Sequence, residues 1–340
     1  MMTDHALQLP KRPRGRLSAA SAAVYERQRR NFCAAMIEIR SRLDFSIGSR
    51  GWCYILEEYG LDKGDFDAAQ SLISDCRKSG ELPLDIVADD DARTFINLER
   101  LDYASPEDKA EAVLNYVKGA HTHYNPVSFW DFQPVFVQMM VEKIDLKSLF
   151  APVCAEYHVP LANARGSSDI NSRAELMRRF AEHEAAGRQC VLLYAGDHDP
   201  AGLRISDFLR KNLEDLSQAV GWAPTNLIIE RFGLNADFIR ANRLTWIENL
   251  ETGSGGRLDD PKHPDHRKAY VQDYLAEFGP RKVEANSLVT RPAAGRQLCR
   301  DAILRHVDAH DAVFEYQASL SASRAAVAEA IASQAREAFA

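Results

Sequence analysis

From Val135 onward the chain alternates between two kinds of segment, and that alternation limits its fold more than any other feature. VFVQMMV, VPLANA, CVLLYAG and NLIIERFGL are apolar runs of strand length. Between them lie DLKSLFAPVCAEYH, SSDINSRAELMRRFAEHEAAG and GLRISDFLRKNLEDLSQAV, which carry apolar residues at helical spacing. A strand that is apolar on alternate and intervening positions alike needs cover on both faces. A helix between consecutive strands returns the chain to start the next strand in the same direction. The expected fold class is therefore α/β, with a parallel sheet over about residues 134–235. In such sheets ligands gather at the carboxyl ends of the strands.

The amino-terminal part lacks this alternation. Residues 1–17 form a basic arm in which Pro10, Pro13 and Gly15 oppose helix. Residues 18–43 predict a helix, and a second runs from Ser49 to a stop at Gly60. LDKG is a turn. DFDAAQSLISDCRKSG predicts a third helix with Phe66, Ala69, Leu72, Ile73 and Cys76 on one face, and ELPLDIVADD follows as an extended segment. Helix, turn, helix and short strand outline a winged helix-turn-helix within residues 18–130. Residues 93–131 read as mostly helical, with a loop near SPED and a break around HTHYNPVSFW. Residues 236–340 read as a mainly helical extension. Within it, 251–268 is a mobile loop, RKVEANSLV one more strand, and 295–340 one or two helices. No internal repeat is present.

The net charge of −7 argues against a generic nucleic-acid binder, but the charge is uneven. Residues 1–45 hold nine Lys/Arg and four acids, an excess of five, which leaves −12 on the remainder. A basic arm on an acidic body fits DNA contact at one end, and fits a solvated tail equally well. Arg77, Lys78 and Arg165 are the candidate contacts to nucleic acid. The six cysteines form no C-x-x-C pair, which argues against a zinc ribbon or a disulfide framework and for buried reduced thiols. No apolar run reaches the roughly 18–20 residues of a membrane span, and no apolar stretch follows MMTDHALQLPKRPRGR. A cytoplasmic, nucleoid-associated protein without a membrane partner is expected. No G-x-x-x-x-G-K-[ST] occurs, so the chain shows no ATPase of its own. His306 and His310, four apart with Asp308 between, read as a solvated helix face. His121/His123 and His263/His266 read as loop residues.

The densest local signal is Gly196-Asp197-His198-Asp199-Pro200-Ala201-Gly202, between the run CVLLYA and a helix. Two carboxylates in D-x-D spacing at a strand end are hard oxygen ligands suited to Mg²⁺. The same residues also describe an acidic turn in which Asp199 caps the next helix. Glu142, at the end of VFVQMMV, lies 55 residues before Asp197. Neighbouring parallel strands would gather Glu142, Asp197 and Asp199, and three carboxylates that close repel one another without a cation. Otherwise Glu142 and Lys143 are an ordinary surface pair.

An acid after a first strand, a Gly turn after a second (Arg165-Gly166-Ser167) and D-x-D-P-x-G after a third resemble the TOPRIM domain. The D-x-D-P-x-G form in particular resembles the family of the topoisomerase VI A subunit and the meiotic double-strand-break protein. Upstream, Arg50-Gly51-Trp52-Cys53-Tyr54 matches the family's arginine and catalytic tyrosine four residues apart, although the family often has an aromatic where Cys53 stands. Lys282-Val283-Glu284-Ala285 loosely resembles a strand of the relatives. The resemblance implies a winged helix followed by a TOPRIM domain. It implies Mg²⁺ on Glu142, Asp197 and Asp199, attack by Tyr54 on double-stranded DNA, and a phosphate oriented by Arg50. It also implies a homodimer and a separate GHKL-type ATPase resembling the B subunit. Two rivals stay open: a TOPRIM nuclease in which water attacks, and a non-enzymatic DNA-binding or assembly protein.

Overall fold

The computed structural model describes residues 9–10, 18–88, 99, 101–163, 170–251 and 256–338. The basic arm (apart from residues 9–10) and the Arg165-Gly166-Ser167 turn lie outside them.

Four strands form the expected parallel sheet: β1 (Val135–Val141), β2 (Leu161–Asn163), β3 (Gln189–Ala195) and β4 (Ile228–Gly233), in the order β2-β1-β3-β4. Phe136 to Val141 and Cys190 to Ala195 are all buried, so both faces of β1 and β3 are covered. From β1 the chain passes through α5 (Ile144–Glu156) outward to β2. It returns through α6 (Ile170–Ala185) to β3 on the other side of β1. It then moves outward through α7 (Pro200–Leu203), α8 (Ile205–Glu214) and α9 (Ser217–Val220) to β4. The chain thus leaves the adjacent strands β1 and β3 in opposite directions. A crevice opens at their carboxyl ends at such a switch point. Val141 pairs with Ala195 there, so Glu142 and Asp197 follow directly at its lip.

Ahead of the sheet come α1 (Ala19–Arg40), α2 (Ser49–Glu57) and α3 (Phe66–Lys78). Ser18 caps α1, and the five apolar residues expected on one face of α3 are all buried. The extended segment expected after α3 is instead a 3₁₀ turn at Leu84–Ile86. Its carbonyls serve side chains rather than a ladder: Arg77 donates to the Leu84 carbonyl and Trp52 Nε1 to that of Ile86, 2.6 Å away. Among the described residues of 18–130 there is no strand, so helices α1, α2 and α3 are present and a winged helix is not shown. SPED is not a loop but the start of α4 (Pro106–Gly119), capped by Ser105. HTHYNPVSFW contains two short 3₁₀ turns, Ala120–His123 and Phe129–Phe132.

The carboxy-terminal part is helical: α10 (Ala236–Asn242), α11 (Ala269–Phe278), α12 (Pro292–Leu304) and α13 (Asp311–Ala338). Two expectations are corrected there. RKVEANSLV is not a strand. Lys282 and Val283 make single bridges to Ile247 and His198, and a 3₁₀ turn follows at Ala285–Thr290. The described part of 251–268 consists of turns, with Leu258 buried and its N–H on the Leu250 carbonyl. His306 and His310 do not share a helix. Asp308 accepts from the N–H groups of His310 and Asp311 and so starts α13, while His306 Nε2 lies 2.7 Å from Glu230 Oε2.

One hydrophobic core runs from α1–α3 through the sheet to α12 and α13. A small satellite gathers Leu250, Leu258, Val271 and Tyr274. All six cysteines are buried and unpaired. Among the described residues no helix is long and apolar enough to cross a membrane.

Candidate functional site

The site is built where α2 meets the carboxyl ends of β1 and β3. Asp145, in the first turn of α5, is buried and accepts the N–H of Gly48, which N-caps α2, and that of Gly51. This cap fixes α2 against β1. A Cβ on Gly51 would stand 2.6 Å from an Asp145 oxygen and 2.9 Å from Ile47, so only glycine allows the approach. Burial raises the Asp145 pKa, and the two N–H groups partly offset that.

At the end of β1, Glu142 Oε2 accepts the Asp197 N–H at 2.8 Å and Oε1 accepts Lys143 Nζ at 2.6 Å. The same ammonium lies 2.8 Å from Asp197 Oδ2. Asp197 Oδ1 accepts the Ala285 N–H at 2.7 Å, which ties the segment after Val283 to the motif. Burial raises the Asp197 pKa to about 7; Lys143 opposes the shift and Glu142 adds to it. Burial acts upward on Glu142 also, but Lys143 and the Asp197 N–H outweigh it and hold the carboxyl below its ordinary range. Burial disfavours the Lys143 ammonium, yet Asp197 and Glu142 together hold its pKa above the ordinary value.

Asp199 caps α7 as an acidic turn would, its Oδ1 accepting the Gly202 N–H at 2.6 Å. Gly202 has no room for a side chain, because a Cβ would lie 2.2 Å from the Asp197 carbonyl oxygen. Gly202→Ala is expected to destabilise the fold by about 1–3 kcal/mol, checked by urea unfolding. His198, between the two acids, turns away into a ring cluster of Trp246, Tyr274 and Phe278.

The backbone bridge between His198 and Val283 places Glu284 beside α2. Glu284 Oε2 accepts the Tyr54 hydroxyl at 2.7 Å and Arg50 Nε at 3.1 Å; Oε1 accepts Arg50 Nη2 at 3.3 Å. Burial acts upward on Glu284, but Arg50 and Tyr54 prevail and hold its pKa below the ordinary value. Tyr54 itself is 0% exposed, its ring edge-on to Phe66 at 5.2 Å. Burial, with the Glu284 carboxylate, drives the phenol pKa far upward.

The structure therefore brings Arg50, Tyr54, Glu142, Asp197 and Asp199 into one region of the chain. Arg50, Glu142, Lys143, Asp199, Glu284 and Asn286 line an open cleft of about 640 Å³. Tyr54 lies behind Glu284 rather than in the wall. The remaining candidates sit elsewhere. Arg77 is committed to the Leu84 carbonyl, Lys78 is exposed with Asp75 at 3.6 Å, and Arg165 falls outside the described residues. Reasoning from the sequence missed Lys143, Asp145 and Asn286 as parts of the site.

The acids carry the hard oxygens a Mg²⁺ ion needs, but their arrangement does not offer a metal centre. The Glu142 and Asp197 oxygens are taken by Lys143 and backbone N–H groups, and Asp199 Oδ1 by Gly202. Among the described residues no three acidic, His or Cys side chains are gathered to hold an ion. No family model, curated protein or solved structure matches the chain.

Proposed function

We propose that the chain cuts the phosphodiester backbone of double-stranded DNA at this cleft, with the Tyr54 hydroxyl as the attacking group. One observation carries the reading. Tyr54 and Arg50 on α2 bond Glu284, and the N–H of the next residue, Ala285, bonds Asp197, although 230 residues separate Tyr54 from Glu284. The buried Tyr54 hydroxyl is bonded to Glu284, which itself lines the open cleft, so in this reading Glu284 must move aside for a phosphate to meet the hydroxyl. Glu284 is positioned to take the phenolic proton as the Tyr54 Oη–phosphorus bond forms. Arg50, released from Glu284, offers a planar guanidinium to the phosphate oxygens. The Lys143 ammonium, which lines the same cleft, would give its proton to the departing deoxyribose oxygen. The link formed is a phosphotyrosyl ester, and the reverse reaction reseals the strand. The same reading includes a homodimer and a GHKL-type ATPase on another chain for strand passage.

Hydrolysis is the second reading, and the full burial of Tyr54 favours it. Water in the open cleft would attack beside Glu142 and Asp199, with Tyr54 bracing Glu284.

Asp199→Asn tests the cleft under both readings. The amide oxygen retains the cap on Gly202 while the charge is lost. Cleavage of labelled duplex DNA is expected to fall by at least about a hundredfold, a typical share for a group acting on the reacting atoms, with an unchanged unfolding midpoint. Wild-type cleavage by this variant would place the reaction elsewhere.

A further inference from the structure

The lining of the cleft is of two kinds. One part is charged and includes Arg50, Lys143 and Asp199; a second part is apolar and comes from two elements. From α8 the cleft receives Ile205, Phe208, Leu209 and Asn212, spaced i, i+3, i+4 and i+7 and therefore on one face of the helix. Ile144, at the start of α5, adds to the same lining and lies close against the start of α2: a Cβ on Gly48 would stand 3.3 Å from Ile144 Cγ2. Buried Leu209 and Leu213 anchor α8, and Arg210 ties it to β4 by donating to the Leu227 carbonyl at 2.6 Å. The Phe208 ring takes no part in that anchoring to the same degree, since Phe208 is 44% exposed, and Ile144 is 39% exposed. Single exposed apolar side chains are ordinary on a protein surface; two from separate elements that line one cleft mark a contact surface.

A ligand that suits both kinds of lining has an anionic part for Arg50 and Lys143 and a flat apolar part for Phe208. A nucleotide is such a ligand, but a base that stays stacked and paired in a duplex keeps both of its faces covered. We propose that Phe208, with Ile144 in the same lining, receives a DNA base unstacked beside the phosphate in the cleft, and that the cleft therefore selects DNA with unpaired or easily unstacked bases over an intact duplex. Every base has a π-face, so the selection is for structure rather than for sequence. Unstacking costs least at a bubble, a mismatch or a flexible pyrimidine–purine step, and binding concentrates there.

The inference rests on the reading of this cleft as the seat of the DNA phosphate, but its test cuts no strand and so does not depend on what attacks. Binding of a fluorescein-labelled duplex to the full-length protein in EDTA is compared with binding of the same duplex carrying a central bubble of unpaired bases. Wild type is expected to bind the bubble at least about tenfold more tightly, within what one base stacked on an aromatic ring contributes. Phe208→Ala is expected to lose the preference and Phe208→Trp to keep it. A measurement on the wild type guards against misfolding of the variants. Iododeoxyuridine placed in the bubble and irradiated is expected to cross-link to Phe208, located by mass spectrometry. Equal binding of the two DNAs by wild type, a preference that survives Phe208→Ala, or cross-links only at other residues each overturns the inference, even if the protein cuts DNA. A Phe208-dependent preference in a protein that cuts neither DNA upholds the inference and overturns the cleavage reading alone.

Discussion

Replacing Tyr54 by phenylalanine is expected to give a folded protein that forms no covalent link to DNA. The ring keeps its edge-on contact with Phe66 and its place in the core. What is lost is one hydrogen bond to Glu284, whose carboxylate retains Arg50. Such a loss costs about 1 kcal/mol, too little to unfold a domain with one continuous core. The missing oxygen, however, is the attacking atom of the proposed reaction. The measurement uses labelled duplex DNA with Mg²⁺, stopped with detergent, and counts label that migrates with protein. Wild type is expected to show an adduct and the variant none. Cleavage by the variant at the wild-type rate would assign the attack to water and leave Tyr54 as a brace for Glu284.

Asp145→Ala is expected to produce the largest loss of stability, about 2–4 kcal/mol. It removes the acceptor for two N–H groups at the start of α2 in a buried setting; a lost cap costs about 1 kcal/mol and an unsatisfied buried group about 1–3. Because this cap fixes α2, Arg50 and Tyr54 shift with it, and cleavage should fall even at temperatures where the variant is folded. Asp145→Asn retains an acceptor and is expected to be mild. It also isolates a pH effect. Burial raises the Asp145 pKa in the folded state, so between its unfolded pKa near 4 and its higher folded value the native protein holds the extra proton. The contribution of this group to stability therefore declines as pH rises through that window. The Asp145→Asn variant has no such slope, and chemical denaturation across the pH range reads the difference between the two curves.

Much of the sheet was legible because a parallel strand buried on both faces is apolar at nearly every position. VFVQMMV and CVLLYA became β1 and β3, and the spacing of Glu142 and Asp197 correctly anticipated that their ends lie side by side. The face of α3 was legible for the analogous helical reason. What escaped was everything decided by contacts distant in sequence. ELPLDIVADD has the composition of a strand, yet Arg77 and Trp52 take its carbonyls and turn it into a 3₁₀ segment. Asp145 looks like any acid early in a helix; its partners are Gly48 and Gly51, far earlier in the chain, and nothing local marks them. Glu284 was visible only as part of a loose likeness to a strand, whereas a single backbone bridge to His198 brings it to the centre of the site. Lys143 reads as the neighbour of Glu142, and only the fold shows that it also holds Asp197.

That dependence on distant partners has a consequence for synthesis on the ribosome. Tyr54 and Arg50 emerge early, but the carboxylate that caps their helix arrives 97 residues after Gly48, and the one that receives the phenol 230 residues after Tyr54. A nascent or prematurely terminated chain carries the tyrosine without the rest of its apparatus. On the proposed function, a fragment that ends before Glu284 lacks the carboxylate bonded to the Tyr54 hydroxyl and would be unable to cut DNA.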